Sequence, residues 1–348
     1  MAESMKRIGV VGAATLAGKE LLDALEDSQL AAAEFVLLDE EDAAGQMTAA
    51  GDEVVFVQRL EPGAFERLDY VFFAGDKAQA KQYAEHARKA GASIIDLTGA
   101  LEGQPGVLVV GCATSGPDDA VPASVAPDLK TTAVVPAHPA ALMLATLAHR
   151  LAARAGLRQI AATVFEPASQ HGQRAMDELH QQTVTLLSFQ DVPKQQYDAQ
   201  VSFNLLPGLG SEARIPFDET AQRIRAHYAV LTGGATPALS LQLVQAPVFH
   251  GYTASIVVDL AEPLTVAELE GRLAGEPLEI VTESNGTPNN LGTAGQAEIQ
   301  VKVLADDAGG PATRLWLWVA ADNLKLAAGA AIHGALELQR LRPSGSVQ

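Results

Sequence analysis

The sequence predicts an α/β protein of two domains, the first built on a doubly wound parallel sheet. Three observations lead there. Short apolar runs alternate with helix-patterned stretches through the first third of the chain, as in sheets buried on both faces. A glycine-bearing turn joins the first run to the first helix. After Pro136 the pattern changes to longer amphipathic helices and strands, and 348 residues exceed what one ordinary core accommodates.

Taken in order, Arg7-Ile8-Gly9-Val10-Val11 reads as a short buried strand, and the helix after the turn carries Leu21, Leu22 and Leu25 on one face. The runs Phe35-Val36-Leu37-Leu38, Val54-Val55-Phe56-Val57, Tyr70-Val71-Phe72-Phe73, Ser93-Ile94-Ile95-Asp96 and Val107-Leu108-Val109-Val110 repeat the strand signal, with a helix over 78–89. Beyond Pro136, residues 140–155 form a helix striped by Leu144, Leu147 and Leu151. A strand follows from Ile160 to Phe165, then a helix over 173–187. Strands are expected at 201–205, 239–243, 254–260 and 315–319. Thr265 with Glu268 three positions on is a capping box that opens a helix. Residues 283–297 read as a loop, and a final helix spans 324–341.

The formal net charge of −18 repels phosphate backbones, so nucleic acid is not an expected partner. No apolar run reaches membrane-spanning length, and the start MAESMKRIGVVG lacks the signal-peptide pattern. Cys112 is the one cysteine, which excludes an internal disulfide and fits a reducing cytoplasm.

The turn Gly12-Ala13-Ala14-Thr15-Leu16-Ala17-Gly18 stands where a dinucleotide pyrophosphate would meet the free amides of a helix start. Thr15 occupies the middle position at which a glycine would give the phosphate closest access, although its hydroxyl offers a hydrogen bond. A weakened dinucleotide site and a plain strand-to-helix turn both fit. Asp39 ends the second strand about 20 residues on, the distance at which an acid binds the ribose hydroxyls of NAD. The following Glu40, Glu41 and Asp42 disfavour the extra phosphate of NADP, and a solvated loop accounts for the same run. NAD is therefore a weak candidate ligand, bound by Gly12, Thr15, Gly18 and Asp39.

From end to end the chain resembles the aspartate-semialdehyde dehydrogenase family. The resemblance rests on Val10-Val11-Gly12-Ala13 with Gly18, on Gly91 to Thr98, on Met176-Asp177-Glu178-Leu179 with Gln182-Thr183, on Pro247-Val248-Phe249 with Gly251, and on Asp322-Asn323-Leu324. It implies a Rossmann-like dinucleotide-binding domain over 1–134 and 323–348, and an α+β substrate and dimerisation domain over 135–322. It also implies a homodimer paired through 135–322. The family's reaction runs through a cysteine thiolate, a histidine acid/base, a substrate-holding arginine and glutamine, and a phosphate-binding arginine.

Those positions are changed here. The family's cysteine falls on His138, within Pro136-Ala137-His138-Pro139-Ala140. Its glutamine falls on Glu166, its substrate arginine on Gln245, its histidine on Tyr252 and its phosphate arginine on Glu102. Ala327 and Ala331 take the places of a glycine and an asparagine near the nicotinamide. Usg-type paralogues share this pattern of family frame without the nucleophile, and the chain looks like one of them.

Rescue by other residues is not expected. Cys112 has neither a helix start nor a neighbouring cation to activate it. Imidazole adds poorly to aldehydes, and Pro139 marks His138 as the cap of a helix start. His138, Glu166, His171 and His250 match no metal spacing. The resulting expectation is a non-catalytic family member that binds a small ligand or a protein partner. The alternative is an active NAD-dependent dehydrogenase with altered chemistry on another aldehyde or ketone.

Overall fold

The computed structural model describes residues 5–50, 53–112, 126–282, 286–306 and 310–341. The chain divides into two compact units, with boundaries between Ala137 and His138 and between Leu326 and Ala327.

The first unit contains β1 (Arg7–Val11), α1 (Leu16–Glu26), β2 (Glu34–Asp39), β3 (Met47–Ala50), β4 (Glu53–Phe56), β5 (Gln58–Arg59), β6 (Tyr70–Phe73), α2 (Lys77–Lys89), β7 (Ser93–Asp96), β8 (Val107–Val110) and β9 (Ala133–Pro136). Seven strands form one sheet in the order β5-β2-β1-β6-β7-β9-β8, and every pairing in it is parallel. Successive strand residues point to opposite faces, and both faces are covered. Ile8, Val10, Leu37, Phe72 and Ile95 pack with Leu21, Leu22 and Leu25 of α1 and with Ala328, Ala331 and Ala335 near the C-terminus. Val11, Leu38, Val71, Phe73 and Ile94 pack with Ala80, Ala84 and Ala87 of α2. This double burial is why the strands read as unbroken apolar runs.

The second unit holds α3 (Pro139–Ala155), β10 (Leu157–Glu166), α4 (Gln173–Leu187), α5 (Phe217–Thr232), β11 (Leu239–Gln245), β12 (Tyr252–Leu264), α6 (Val266–Leu273), β13 (Leu278–Ile280), β14 (Ile299–Ala305) and β15 (Ala312–Ala321). Its six-stranded mixed sheet runs β11-β10-β12-β15-β14-β13. The inner face carries Ile160, Val164, Ile256, Val258, Leu317 and Val301, all buried, and α3 packs with α5, α6, β10 and β12. The last helix, α7 (Asn323–Leu341), begins in this unit, and from Ala327 it belongs to the first. The protein is thus α/β, with a parallel Rossmann-like sheet in one unit and a mixed sheet with helices in the other.

Several elements differ from the sequence expectation. The run at 54–57 does not join the parallel sheet as a strand of its own: β4 closes a two-stranded antiparallel hairpin with β3. Residues 201–205 form no strand. The Gln182 side chain on α4 takes the backbone amides of Val201 and Ser202 at 2.8 and 3.2 Å, and Phe203 adopts a left-handed φ of 61°. Those amides are therefore unavailable to a sheet ladder. Helix α5 and strand β14 were not anticipated. The loop expected at 283–297 has no regular element where it is described, and residues 283–285 lie outside the described residues.

Candidate functional site

Helix α3 starts as its sequence dictates. Pro139 occupies the first helical position, where its missing N–H costs nothing, and His138 is the N-cap. The His138 Nδ1 accepts the Ala140 N–H at 3.3 Å, and the His138 backbone N–H donates to His227 Nδ1 at 2.8 Å. His138 is 1% exposed. Burial holds its imidazole well below the usual histidine range, and the charges of Arg223, His227 and His171 act in the same direction. The ring is therefore neutral, with Nδ1 as acceptor and the proton on Nε2. That assignment leaves no lone pair on Nε2 for nucleophilic attack or metal binding.

Around His138 the sheet supplies three more positions singled out from the sequence. Glu166 ends β10 and Gln245 ends β11, and the two are register partners across a parallel pair. Tyr252 begins β12, with its ring 5.9 Å from the His138 ring. Its phenol donates to Glu166 Oε1 at 3.0 Å. Burial, followed by the Glu166 charge, raises the Tyr252 phenol well above its ordinary value, so it remains protonated. Gln245 Nε2 donates to the carbonyls of Glu166 and Ala246 at 3.0 and 3.2 Å.

His171 closes the cluster from a short 3-10 turn, Ala168–His171, with Nε2 3.1 Å from Glu166 Oε2. That approach is not aligned as a hydrogen bond. Asn323, at the start of α7, accepts from Ser169 Oγ at 3.1 Å and from the Gly251 N–H at 3.2 Å.

Four of the five positions matched to the family site thus share one buried cluster: His138, Glu166, Gln245 and Tyr252. Glu102 belongs to the first unit, in the turn after β7. His250 is only partly buried on the loop before β12. Among the described residues, no set of three His, Cys, Asp or Glu side chains converges as a metal site. Burial of the Cys112 thiol pushes it up to about 12, although the residue keeps some exposure, so thiolate is negligible at neutral pH.

The sequence reading missed His227 and Arg223 because it missed α5. The signal was present: Phe217, Thr220, Ile224, His227 and Leu231 recur at helical spacing, Asp218 and Glu219 stand in the first turn, and Gly233 follows the end.

In the first unit, the glycine turn has its own geometry. Gly12 has φ 80°, and a Cβ there would lie 2.3 Å from Gly75 backbone atoms. A Cβ on Gly18 would lie 2.1 Å from the Gly12 carbonyl oxygen. Thr15 is the N-cap of α1: its hydroxyl accepts the Gly18 N–H at 3.0 Å and lies 2.8 Å from the carbonyl oxygens of Gly12 and Ala74. Its proton points to backbone carbonyls in this structure. Asp39 is buried, and its Oδ2 accepts the Ala14 N–H at 3.1 Å.

These residues fit a dinucleotide in kind. The first-turn amides of Leu16 and Ala17 have no intrahelical acceptor, so they suit a pyrophosphate. The Asp39 carboxylate suits ribose hydroxyls and opposes a 2′-phosphate.

Comparison with known proteins gives a consistent result. Residues 7–136 match the family model described as semialdehyde dehydrogenase, NAD binding domain, and residues 149–326 match semialdehyde dehydrogenase, dimerisation domain. The chain is 30% identical over 333 residues to a USG-1 protein homolog of Pseudomonas aeruginosa, covering 94% of this chain and 95% of that protein. It is 24% identical over 327 residues to the aspartate-semialdehyde dehydrogenase of Aquifex aeolicus, covering 92% and 93%. The solved structure of a probable aspartate-semialdehyde dehydrogenase from Pseudomonas aeruginosa superposes with a TM-score of 0.79 at 27% identity, over 98% of this chain and 99% of that one.

Proposed function

This chain belongs to the semialdehyde dehydrogenase family, and from that premise we propose that it is a non-catalytic member that binds a small ligand at the His138 cluster. One observation carries the reading. Where the resemblance places the family's cysteine, this chain has His138, buried and neutral, with Nδ1 engaged in capping α3. No thiolate is available to form a thioester. Tyr252, at the acid/base position, keeps its proton. The test is phosphate-dependent oxidation of aspartate semialdehyde by the purified chain with NAD or NADP. Background rates are expected. Turnover that disappears in His138→Ala would overturn the reading in favour of a dehydrogenase with altered chemistry. The observation favouring that second reading is the buried polar group of Tyr252, Glu166 and His171, in which the Tyr252 phenol donates to Glu166 and His171 Nε2 lies 3.1 Å from the other Glu166 oxygen.

The assembly we propose is a homodimer through the second unit. Phe189 is 98% exposed and Phe203 68%, with Leu187, Val184 and Leu205 also exposed. The Thr183 hydroxyl lies 2.8 Å from that of Ser202, so α4 and the 203–205 segment adjoin. On the outer face of the mixed sheet, Phe165 and Trp318 pair at 6.0 Å, and Trp316 and Leu304 are exposed. Apolar surface of this kind calls for a cover, and a second copy supplies one. NAD binding at the glycine turn is retained in this proposal as a weak property. Among the described residues no helix is long and apolar enough to cross a membrane, and a reducing cytoplasm is the setting proposed.

A further inference from the structure

The cluster in the second unit has polar atoms left over. Among the described residues, His138 Nε2, Glu166 Oε2, His171 Nε2, Gln245 Oε1 and Asn323 Nδ2 of this cluster are all buried without an aligned hydrogen-bond partner, His171 Nε2 lying 3.1 Å from Glu166 Oε2. Buried polar groups are rarely left this way, and several in one contact network call for something that satisfies them together.

Backbone groups fix which of these atoms donate and which accept. Gln245 must turn its NH2 toward the carbonyls of Glu166 and Ala246, so its oxygen faces away as an acceptor. Asn323 must turn its oxygen toward the Gly251 N–H, so its NH2 is the spare donor. His138 accepts the Ala140 N–H at Nδ1, so its spare atom is an Nε2–H donor. Glu166 has one oxygen on the Tyr252 phenol and the other short of an aligned donor.

The cluster therefore offers both spare donors and spare acceptors. An incoming carboxylate would face the Glu166 carboxylate and the Gln245 carbonyl oxygen, both acceptors. Arg223 is the nearby cation, acting on both His138 and Tyr252. Seated beside Glu166, a charged acidic ligand end would be a second acid in a buried site, which is costly without a partner of its own.

We infer that the cluster seats an uncharged primary-amide group, its oxygen on the N–H of His138 or Asn323 and its NH2 on Gln245 Oε1 or Glu166. The inference rests on the ligand-binding reading above and narrows it to a chemical class.

The probes are isobutyramide and isobutyrate, equal in shape and different in charge, titrated into the full-length protein by ligand-observed saturation-transfer NMR. The expected result is millimolar binding of the amide, as suits so small a fragment, and at least roughly tenfold weaker binding of the carboxylate. In His138→Asn, which retains a capping side chain, the amide should weaken several-fold. In Gln245→Arg the preference should reverse. Equal or tighter binding of isobutyrate by the unsubstituted protein would overturn the amide assignment and leave the ligand-binding reading in place. Binding of neither probe at roughly 50 mM would also overturn it, since even weak fragments register at that concentration. Turnover in the dehydrogenase assay would instead strike the parent reading.

Discussion

The Nδ1 of His227, on α5, accepts the backbone N–H of His138 at 2.8 Å, so the residue to which the resemblance assigns the family's nucleophile position is held from two sides. Its backbone is fixed by α5 and its ring by the first turn of α3. A side chain held in this way serves the fold before it serves any chemistry, and the prediction on pH below follows from that.

Restoring a thiol should not restore the family reaction. His138→Cys is expected to leave phosphate-dependent oxidation of aspartate semialdehyde at background. Gln245, Tyr252 and Glu102 would still stand where the resemblance places two arginines and the acid/base histidine. Rates well above background in a stopped-assay time course would mean that the remaining positions are sufficient.

Stability should fall on mild acidification because His138 stays neutral when folded. Its folded pKa lies below the unfolded value of about 6.5. Above that value neither state holds the proton and there is no effect. As pH falls below it, the unfolded chain takes up a proton that the native ring refuses, and stability drops until the folded pKa is reached. One such group contributes a slope of at most about 1.4 kcal/mol per pH unit. Urea titrations between pH 7 and 5 should show a shallower slope for His138→Asn, which keeps a competent N-cap. Identical slopes would remove His138 from the explanation.

Tyr252→Phe should destabilise the protein by about 1.5–3 kcal/mol, because a buried carboxylate loses its phenol donor. Adding Glu166→Gln should recover part of the loss, since the two residues form one network. Equilibrium unfolding gives both values, and simple additivity would contradict the coupling.

Light scattering should report a dimer for the intact chain at micromolar concentration, with an interface of order 2,000 Å². Leu187→Glu with Phe203→Glu should shift it toward monomer, since both side chains are exposed and apolar. A monodisperse monomer of the unsubstituted chain would discard the proposed assembly.

Calorimetry should find NAD weak and NADP weaker still. Asp39 accepts the Ala14 and Glu40 amides, and the acids Glu40, Glu41 and Asp42 that follow it disfavour an added phosphate. Tighter NADP than NAD would contradict the role given to Asp39.

The sequence by itself determined the parallel sheet, since a strand buried on both faces must be apolar throughout, and Ile8 to Val11 and Tyr70 to Phe73 are. It also determined the start of α3, because Pro139 fits only the first helical position with His138 before it, and the capping box of Thr265 and Glu268. The positions that the resemblance matches to the family site were legible one by one as letters. The tertiary structure alone decided what they do together. Gln182 takes the amides that would have made 201–205 a strand, and Ala140 fixes which His138 nitrogen keeps the proton. Gln245 meets Glu166 only because β10 and β11 pair in parallel register across a long stretch of chain. Periodicity and capping are local and survive in the sequence. A hydrogen bond between distant side chains and backbone exists only once packing brings them into contact, and so do the burial that holds His138 neutral and the polar atoms left over around it.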